Sequence, residues 1–141
     1  MVVLDTDHVS FLERAGSPEG QRLRTRLNAS DVGEAATTVI SYEEQLRGWL
    51  TSLAKPKSKA LQITAYRRLR SQLENYCQIV VLEFEETAAT VFQRLQKAKL
   101  RVGTLDLKIA AITLAHDATL LTRNLADFRR VPNLKIEDWT T

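Results

Sequence analysis

The sequence predicts an α/β fold, in which a central parallel sheet of four or five strands is flanked by helices on both faces. Two observations predict it. Short apolar runs suit strands that are buried on both faces of a sheet, and they alternate along the chain with longer amphipathic stretches of helical periodicity. Because no repeat, linker or low-complexity segment interrupts this alternation, we expect one domain over residues 1–141.

Each element follows from its local sequence. The predicted strands are residues 1–4, 36–40, 79–82, 119–122 and 134–136. The predicted helices are residues 6–15, 18–27, 41–53, 59–76, 85–99, 105–116 and 126–129. Ser17 followed by Pro18 is a favourable helix start, because a capping hydroxyl precedes a residue whose φ already suits the first turn. Ser41 and Glu44 have the spacing of a capping box, so Ser41 is the expected cap of its helix.

Composition excludes several classes of protein. Apolar residues make up 44% of the chain, charged residues make up 26%, and the net charge is +3, which is typical of a globular domain. The single cysteine, Cys77, excludes an internal disulfide framework. The first apolar run stops at Asp5 and is too short for a signal peptide or a membrane span, so we expect a cytoplasmic protein that does not engage a membrane.

Basic residues are enriched in two regions, residues 55–70 and residues 97–101. They could form a surface for a polyanion around an acidic centre. They could equally be the solvated faces of helices, and charge alone does not distinguish these two interpretations.

Four acidic residues are placed where one site could gather them. Each follows a predicted strand or lies in the first turn of a predicted helix, and in an open α/β sheet those positions meet at the crevice beyond the carboxyl ends of the strands. The four are Asp5, Glu44, Asp106 and Asp127. Two carboxylates ~4 Å apart repel by about 4 kcal/mol at an effective dielectric constant near 20. A folded protein tolerates this by protonating some of them or by binding cations.

Each acid also has a purely structural interpretation. Asp5 or Thr6 could cap the following helix, Glu44 could complete the capping box of Ser41, and Asp106 could interact with a helix dipole. Glu43 is a rival to Glu44, but Gly48 lies one turn after Glu44 on the same helix face. A glycine inside a helix costs about 1 kcal/mol relative to alanine, so we expect close packing at Gly48.

The combined pattern resembles the PIN domain. The resemblance rests on Leu4-Asp5-Thr6, on Ser41-x-x-Glu44 with Gly48, on Gly103-x-x-Asp106-x-x-Ile109-Ala110-Ala111, and on Thr122-x-Asn124-x-x-Asp127-Phe128. Residues 130–139 further resemble the C-terminal end of VapC-type toxins of toxin–antitoxin pairs. The resemblance implies an endoribonuclease dependent on Mg²⁺ or Mn²⁺, usually a homodimer, that cuts RNA of the tRNA or rRNA class and is silenced by a VapB-like antitoxin.

The resemblance also assigns residues to the site. The acidic site falls on Asp5, Glu44, Asp106 and Asp127, and the supporting polar positions fall on Thr6, Ser41, Thr122 and Asn124. Asp7 stands where the family often has Asn or Ser, and it would add a fifth acid.

The mechanism that follows is hydrolysis of a phosphodiester by water, with Asp5 and Asp106 as the principal metal ligands. Glu44 would bind metal or orient the water, and Asp127 would complete the shell. Arg14, Arg67 and Arg123 are candidates for holding the flanking phosphates.

Two other classes of function fit parts of the sequence. A PIN-like fold could serve as a catalytically silent module that binds RNA or a partner. Asp5-Thr6-Asp7 after an apolar strand also resembles the nucleophile loop of haloacid-dehalogenase-type phosphatases, but that family's later Gly-Asp-x-x-x-Asp motif is absent.

Overall fold

A five-stranded parallel sheet organises the molecule. A computed structural model describes residues 1–14, 16–29, 31 and 33–141. The strand order is β3-β2-β1-β4-β5, and every neighbouring pair is parallel. The strands are β1 (Val2–Leu4), β2 (Ala35–Thr38), β3 (Val80–Leu82), β4 (Thr119–Leu121) and β5 (Lys135–Glu137). The predicted parallel α/β sheet is therefore confirmed.

Seven helices are described, and they connect and cover the strands. They are α1 (Thr6–Glu13), α2 (Pro18–Ala29), α3 (Val39–Ala54), α4 (Lys59–Cys77), α5 (Glu86–Lys97), α6 (Thr104–Ala115) and α7 (Leu125–Phe128). The predicted first helix extended to Ala15, which lies outside the described residues. None of the described helices combines the length and the apolar character needed to cross a membrane.

Two apolar cores, one on each face of the sheet, hold the layers together. Val3, Ala36 and Leu120 point to one face and pack with α5 and α6. Val2, Leu4 and Leu121 point to the other face and pack with Val9, Leu23 and Tyr76 of α1, α2 and α4. This alternation explains why a run as short and wholly apolar as β1 forms the centre of the sheet: every position along it is buried.

Helix α2 approaches α1 closely because residue 20 is a glycine. A Cβ at Gly20 would collide with the carbonyl oxygen of Phe11. Ser17 begins α2 as expected, since its hydroxyl accepts a hydrogen bond from the Gly20 amide at 3.0 Å.

The start of α3 differs from the prediction. Thr38, not Ser41, caps the helix, and its hydroxyl accepts a hydrogen bond from the Ser41 amide at 3.1 Å. Val39 and Ile40 therefore belong to the helix rather than to β2, and Glu44 lies on the second turn. The sequence offers two hydroxyl residues three positions apart, and both are fully buried. Thr38 takes the capping role because its backbone is extended, as a cap requires, whereas Ser41 already lies inside the helix.

This cap can be tested by stability measurements. Thr38→Val keeps the shape of the side chain but leaves the Ser41 amide unpaired, so we expect a loss of about 1 kcal/mol in the free energy of unfolding. Ser41→Ala removes the hydroxyl that the sequence favours as the cap and should cost less. Urea denaturation of both variants measures the difference, and a larger loss in Ser41→Ala would contradict the observed cap.

Candidate active site

The chain reverses its direction across the sheet between β1 and β4. From β1 the chain proceeds outward through β2 and β3, and it then returns to add β4 and β5 on the other side of β1. Ligands of open α/β sheets bind at such a switch point, beyond the carboxyl ends of the strands. Asp5 directly follows β1 and Thr122 directly follows β4. The Asp5 amide donates to the Leu121 carbonyl at 3.0 Å, which fixes the two sides of the crevice against each other.

Three helices bring further acids to this edge. Helices that connect parallel strands run antiparallel to them, so their N-termini lie at the carboxyl edge of the sheet. Asp106 lies in the first turn of α6 and Asp127 in the first turn of α7, while Glu44 lies on the second turn of α3.

The electrostatics of Asp106 indicate that the acids converge. Burial, and then the negative charges of Glu44, Asp5, Asp127 and Asp7, raise the pKa of the Asp106 carboxyl to about 6. In the part of the chain that the structure describes, Asp106 makes no hydrogen bond or ion pair. A half-buried carboxyl with acidic neighbours and no compensating partner is a group that a cation would stabilise.

Glu44 is held by a hydrogen bond between helices. The Thr6 hydroxyl donates to Oε1 of Glu44 at 2.8 Å. Burial raises the pKa of Glu44, the Thr6 hydrogen bond opposes that effect, and the charges of Asp5 and Asp7 add to it. Glu43 instead forms an ion pair with Arg47 along the surface of α3. The structure thus places Glu44 at the crevice and Glu43, the alternative candidate, away from it.

Asp5 is positioned from two sides. It is 7% exposed, and its Oδ1 accepts a hydrogen bond from the His8 amide at 2.9 Å, so Asp5 caps α1 while it faces the crevice. The fully buried His8 ring places Nδ1 3.3 Å from the same oxygen. Nε2 of His8 accepts a hydrogen bond from the Trp139 amide at 3.3 Å.

Because Nε2 is an acceptor, a neutral His8 carries its proton on Nδ1, facing Asp5. Sequence reasoning did not single out His8, although the spacing of three between Asp5 and His8 on one helix is a usable signal.

The loop after β4 orients Asp127. The Asn124 amide nitrogen Nδ2 donates to Oδ2 of Asp127 at 3.0 Å, and the buried Thr122 hydroxyl accepts from the Asn124 backbone amide at 2.9 Å. Nη1 of Arg130 lies 3.5 Å from the other Asp127 oxygen. Asn124 is thus hydrogen bonded to Asp127, with which it shares a predicted polar motif.

The structure brings some of the remaining predicted residues together and leaves one of them apart. Asp7 is exposed but close enough to raise the pKa values of Glu44 and Asp106. The guanidinium groups of Arg14 and Arg123 both lie over the Phe11 ring, 5.5 Å and 5.2 Å from its centroid. Arg67 lies apart from them, on the wall of a different cavity along α4.

The donor set suits a hard divalent cation. Among the described residues, no three His, Cys, Asp or Glu side chains already form a ready-made cluster around one point. Mg²⁺ does not require such a cage, because it keeps several waters and is commonly held by one or two carboxylates. Asp106, which lacks any partner, and Asp5 beside it are the carboxylates that fit this coordination.

The prediction of close packing at Gly48 is wrong. A Cβ at that position would meet no atom within 4 Å. Gly48 borders an open cavity between α1, α3 and α4.

Comparisons with known proteins agree with this geometry. The chain belongs to the PIN-domain family, whose family model matches residues 2–134. Within that family it is similar to Ribonuclease VapC1 of Rickettsia felis, with 38% identity over 96% of this chain and 93% of the relative. It is also similar to the tRNA(fMet)-specific endonuclease VapC of Salmonella typhimurium, with 28% identity over 97% and 96% of the two chains.

Other matches are more local or more distant. Ribonuclease VapC2 of Rickettsia felis matches over 45 residues at 44% identity, which is 32% of this chain and 34% of that protein. Among solved structures, VapBC-1 from nontypeable Haemophilus influenzae superposes with a TM-score of 0.73 at 22% identity, over the whole of both chains. The resemblance to PIN domains and VapC-type proteins is therefore confirmed, and it displaces the haloacid-dehalogenase alternative.

The raised pKa of Asp106 predicts how stability depends on pH. Its pKa is about 6 in the folded protein, above the ordinary value of 3.8 for an aspartate, so the folded state binds the proton more tightly than the unfolded state. The resulting penalty is absent below about pH 4 and grows until the pH exceeds 6. Asp106→Asn removes it, and we expect a gain of roughly 1 kcal/mol at pH 7–8, discounted for solvent screening of a half-exposed group.

The measurement is urea denaturation of wild type and Asp106→Asn in EDTA at pH 4, 6 and 8. The two proteins should converge at pH 4. A constant difference across all three pH values would contradict the electrostatic explanation.

His8 can be tested against the chain's other histidine. His8→Leu leaves the buried Trp139 amide without its acceptor, and we expect a loss of about 1–3 kcal/mol in the free energy of unfolding. His116 is exposed at the end of α6, so His116→Leu should change stability by less than about 0.5 kcal/mol. Thermal denaturation compares them, and equal losses would show that the His8 contacts contribute nothing specific.

Proposed function

We propose that this protein is an endoribonuclease that hydrolyses RNA phosphodiesters with Mg²⁺ or Mn²⁺, and that it is the toxin of a toxin–antitoxin pair. The observation that carries the proposal is that Asp106, which has no hydrogen-bond or ion-pair partner among the described residues, lies among Asp5, Glu44 and Asp127 at the switch point of the sheet. The names of its relatives, Ribonuclease VapC1 and tRNA(fMet)-specific endonuclease VapC, support the nuclease activity.

Each acidic side chain has a role that follows from its position in the crevice. Asp5 and Asp106 would hold the cation, and Asp127 would complete its shell. Glu44, fixed by Thr6, accepts a proton from the attacking water or orients it. When bound, the divalent ion supplies positive charge opposite the charge that develops on the phosphodiester. Attack by water leaves a 5′-phosphate and a 3′-hydroxyl.

The substrate enters past the paired arginines. Arg14 and Arg123, which share the Phe11 ring, provide positive charge and would hold phosphates on either side of the cut. The Salmonella relative is named as specific for a tRNA, so tRNA is the first RNA to test and rRNA is the second. Such substrates place the protein in the cytoplasm.

A protein partner has a separate surface. Large apolar side chains on α3 and α4 are exposed, which is characteristic of a contact site. The most exposed are Leu50, Leu61, Tyr66 and Leu73. Tyr66 and Leu73 also line an apolar groove that continues to Tyr42 and Leu46. We propose that a VapB-like antitoxin covers part of this surface and that a second copy of the chain covers another part, forming a homodimer.

The proposed activity is tested by incubating total bacterial RNA and tRNA with purified protein in Mg²⁺, Mn²⁺ or EDTA. Wild type should give discrete fragments only with metal, and ligation chemistry should detect 5′-phosphate ends. Asp106→Asn should cut at least about 10²-fold more slowly, because it loses charge at the reacting phosphate.

Asp117→Asn is the matched control. Asp117 is an exposed acid paired with Lys135 away from the crevice, and its replacement should leave cleavage unchanged. Equal cutting by Asp106→Asn and wild type would remove the acidic site from the reaction. No cutting by folded wild type would favour the catalytically silent binding module.

A further inference from the structure

A stretch of positive charge borders the acidic crevice and is not used by the proposed chemistry. Residues 87–105 contain Arg94, Lys97, Lys99 and Arg101 but no aspartate or glutamate. They form most of α5, the loop that follows it and the start of α6, and all four basic side chains are exposed. Within the described part of the chain, none of these four side chains makes an ion pair or a hydrogen bond.

The helix macrodipole accounts for only two of these four charges. Arg94 and Lys97 lie in the last turn of α5, where a basic side chain interacts favourably with the negative end of the helix. Lys99 and Arg101 lie beyond the helix, so the usual interpretation of a basic helix end does not cover them. We call residues 98–103, which include this pair, the basic loop.

The path of the basic loop turns Lys99 and Arg101 toward solvent. Leu100 and Val102 alternate with them and pack against the apolar core. Lys99 and Arg101 both have left-handed backbone conformations, with φ of 50° and 58°. Glycine adopts that conformation with less strain than any residue with a side chain. The turn itself therefore does not require these two basic residues.

One guanidinium connects the basic loop to the acidic crevice. Nη1 of Arg130 donates a hydrogen bond to the carbonyl oxygen of Arg101 at 2.9 Å. The same nitrogen lies 3.5 Å from Oδ1 of Asp127. The loop also leads directly into the first turn of α6, which carries Asp106. The basic loop therefore lies beside two of the acids that form the crevice.

The two groups of basic residues near the crevice belong to opposite faces of the sheet. Arg14 directly follows α1, and the guanidinium of Arg123 lies over Phe11 of the same helix. Helix α1 packs in one apolar core, whereas α5 and α6 pack in the other. The crevice lies between them at the carboxyl edge. A strand of RNA that crosses this edge would meet arginines on one face and the basic loop on the other.

Positive charge around the crevice matters because the crevice itself is acidic. Its four carboxylates repel the phosphates of an approaching RNA, and nearby exposed cations offset that repulsion. A basic side chain that contacts a phosphate also releases a condensed counterion, which favours binding whatever the base sequence. Lys99 and Arg101, which are exposed and have no side-chain partner among the described residues, suit this contact.

We propose that Lys99 and Arg101 form a phosphate-binding surface that holds the backbone of the RNA substrate on the α5–α6 side of the cut. The proposal rests on the proposed function, because it assigns part of the RNA path of the same enzyme. Contacts to phosphates position a strand and carry no preference among bases. The other basic region, residues 55–70, lies mostly on α4 among exposed apolar side chains, and we do not assign it to RNA.

The test measures RNA binding without cleavage. Fluorescence anisotropy follows the binding of labelled 16-nucleotide strands of A, U or C in EDTA, which keeps the RNA intact whether or not the protein is a nuclease. We expect Lys99→Gln/Arg101→Gln to weaken binding of all three strands about 10-fold or more at low salt. The slope of log affinity against log salt should fall by about 1.4, since each lost phosphate contact on a single strand contributes about 0.7.

A charge-matched variant controls for the loss of net charge. Lys55→Gln/Lys59→Gln removes the same charge from exposed positions in the other basic region. It should change the affinity for RNA by less than about 2-fold and leave the salt slope unchanged, because screening limits the effect of distant charges.

A second variant of the loop separates charge from structure. Lys99→Gly/Arg101→Gly relieves the left-handed backbone strain, so its melting temperature should be no lower than that of wild type. It should nevertheless weaken RNA binding as much as the glutamine pair does. Weak binding by a protein that is at least as stable as wild type cannot result from unfolding.

The outcomes distinguish this proposal from the proposed function. If both loop variants bind RNA with the affinity and the salt slope of wild type, the basic loop does not hold RNA, and an acidic segment of a protein partner becomes the better candidate for it. Equal weakening by the control pair would also overturn the proposal, because net charge alone would explain the result. Absence of metal-dependent cleavage by wild type, with the expected binding pattern intact, would overturn the nuclease alone.

Discussion

Mutual repulsion among carboxylates at the carboxyl edge of the sheet is the constraint on which the other features of this protein depend. Four strand and helix ends deliver acids to the crevice between β1 and β4. The most affected, Asp106, has a pKa raised to about 6 and no hydrogen-bond or ion-pair partner in the described part of the chain. Folding must therefore supply apolar burial to hold these charges together. The two cores on opposite faces of the sheet provide it.

The other acids are restrained by donors that neutralise none of them. Thr6 holds Glu44, the His8 amide holds Asp5, and Asn124 holds Asp127. Neutral donors fix the orientation of a carboxylate while leaving its charge available to a cation. Among the described residues, Arg130 approaches these acids as an arginine of opposite charge, with Nη1 3.5 Å from Oδ1 of Asp127. The site is thus oriented but left electrostatically incomplete, which is the condition that favours metal binding.

Two side-chain hydrogen bonds connect α1 to α3. Thr6 donates to Glu44 at the acidic crevice, and Gln45 donates to Ser10 one turn farther along α1. A shift of one helix against the other would move both contacts together, so the position of Glu44 depends on the packing of these two helices.

The sequence by itself determined the alternation of strands and helices, the parallel sheet and the four acidic positions, because these depend on local periodicity and on where strands end. Tertiary structure decided the rest. Thr38 rather than Ser41 caps α3, since the chain passes from strand to helix at Thr38 and Ser41 already lies inside the helix. The contact of His8 with Trp139 joins residues 131 positions apart, which no local spacing encodes. The open space at Gly48 exists only because α1 and α4 stand away from α3 there, and such a distance is set by packing between helices, not by the glycine.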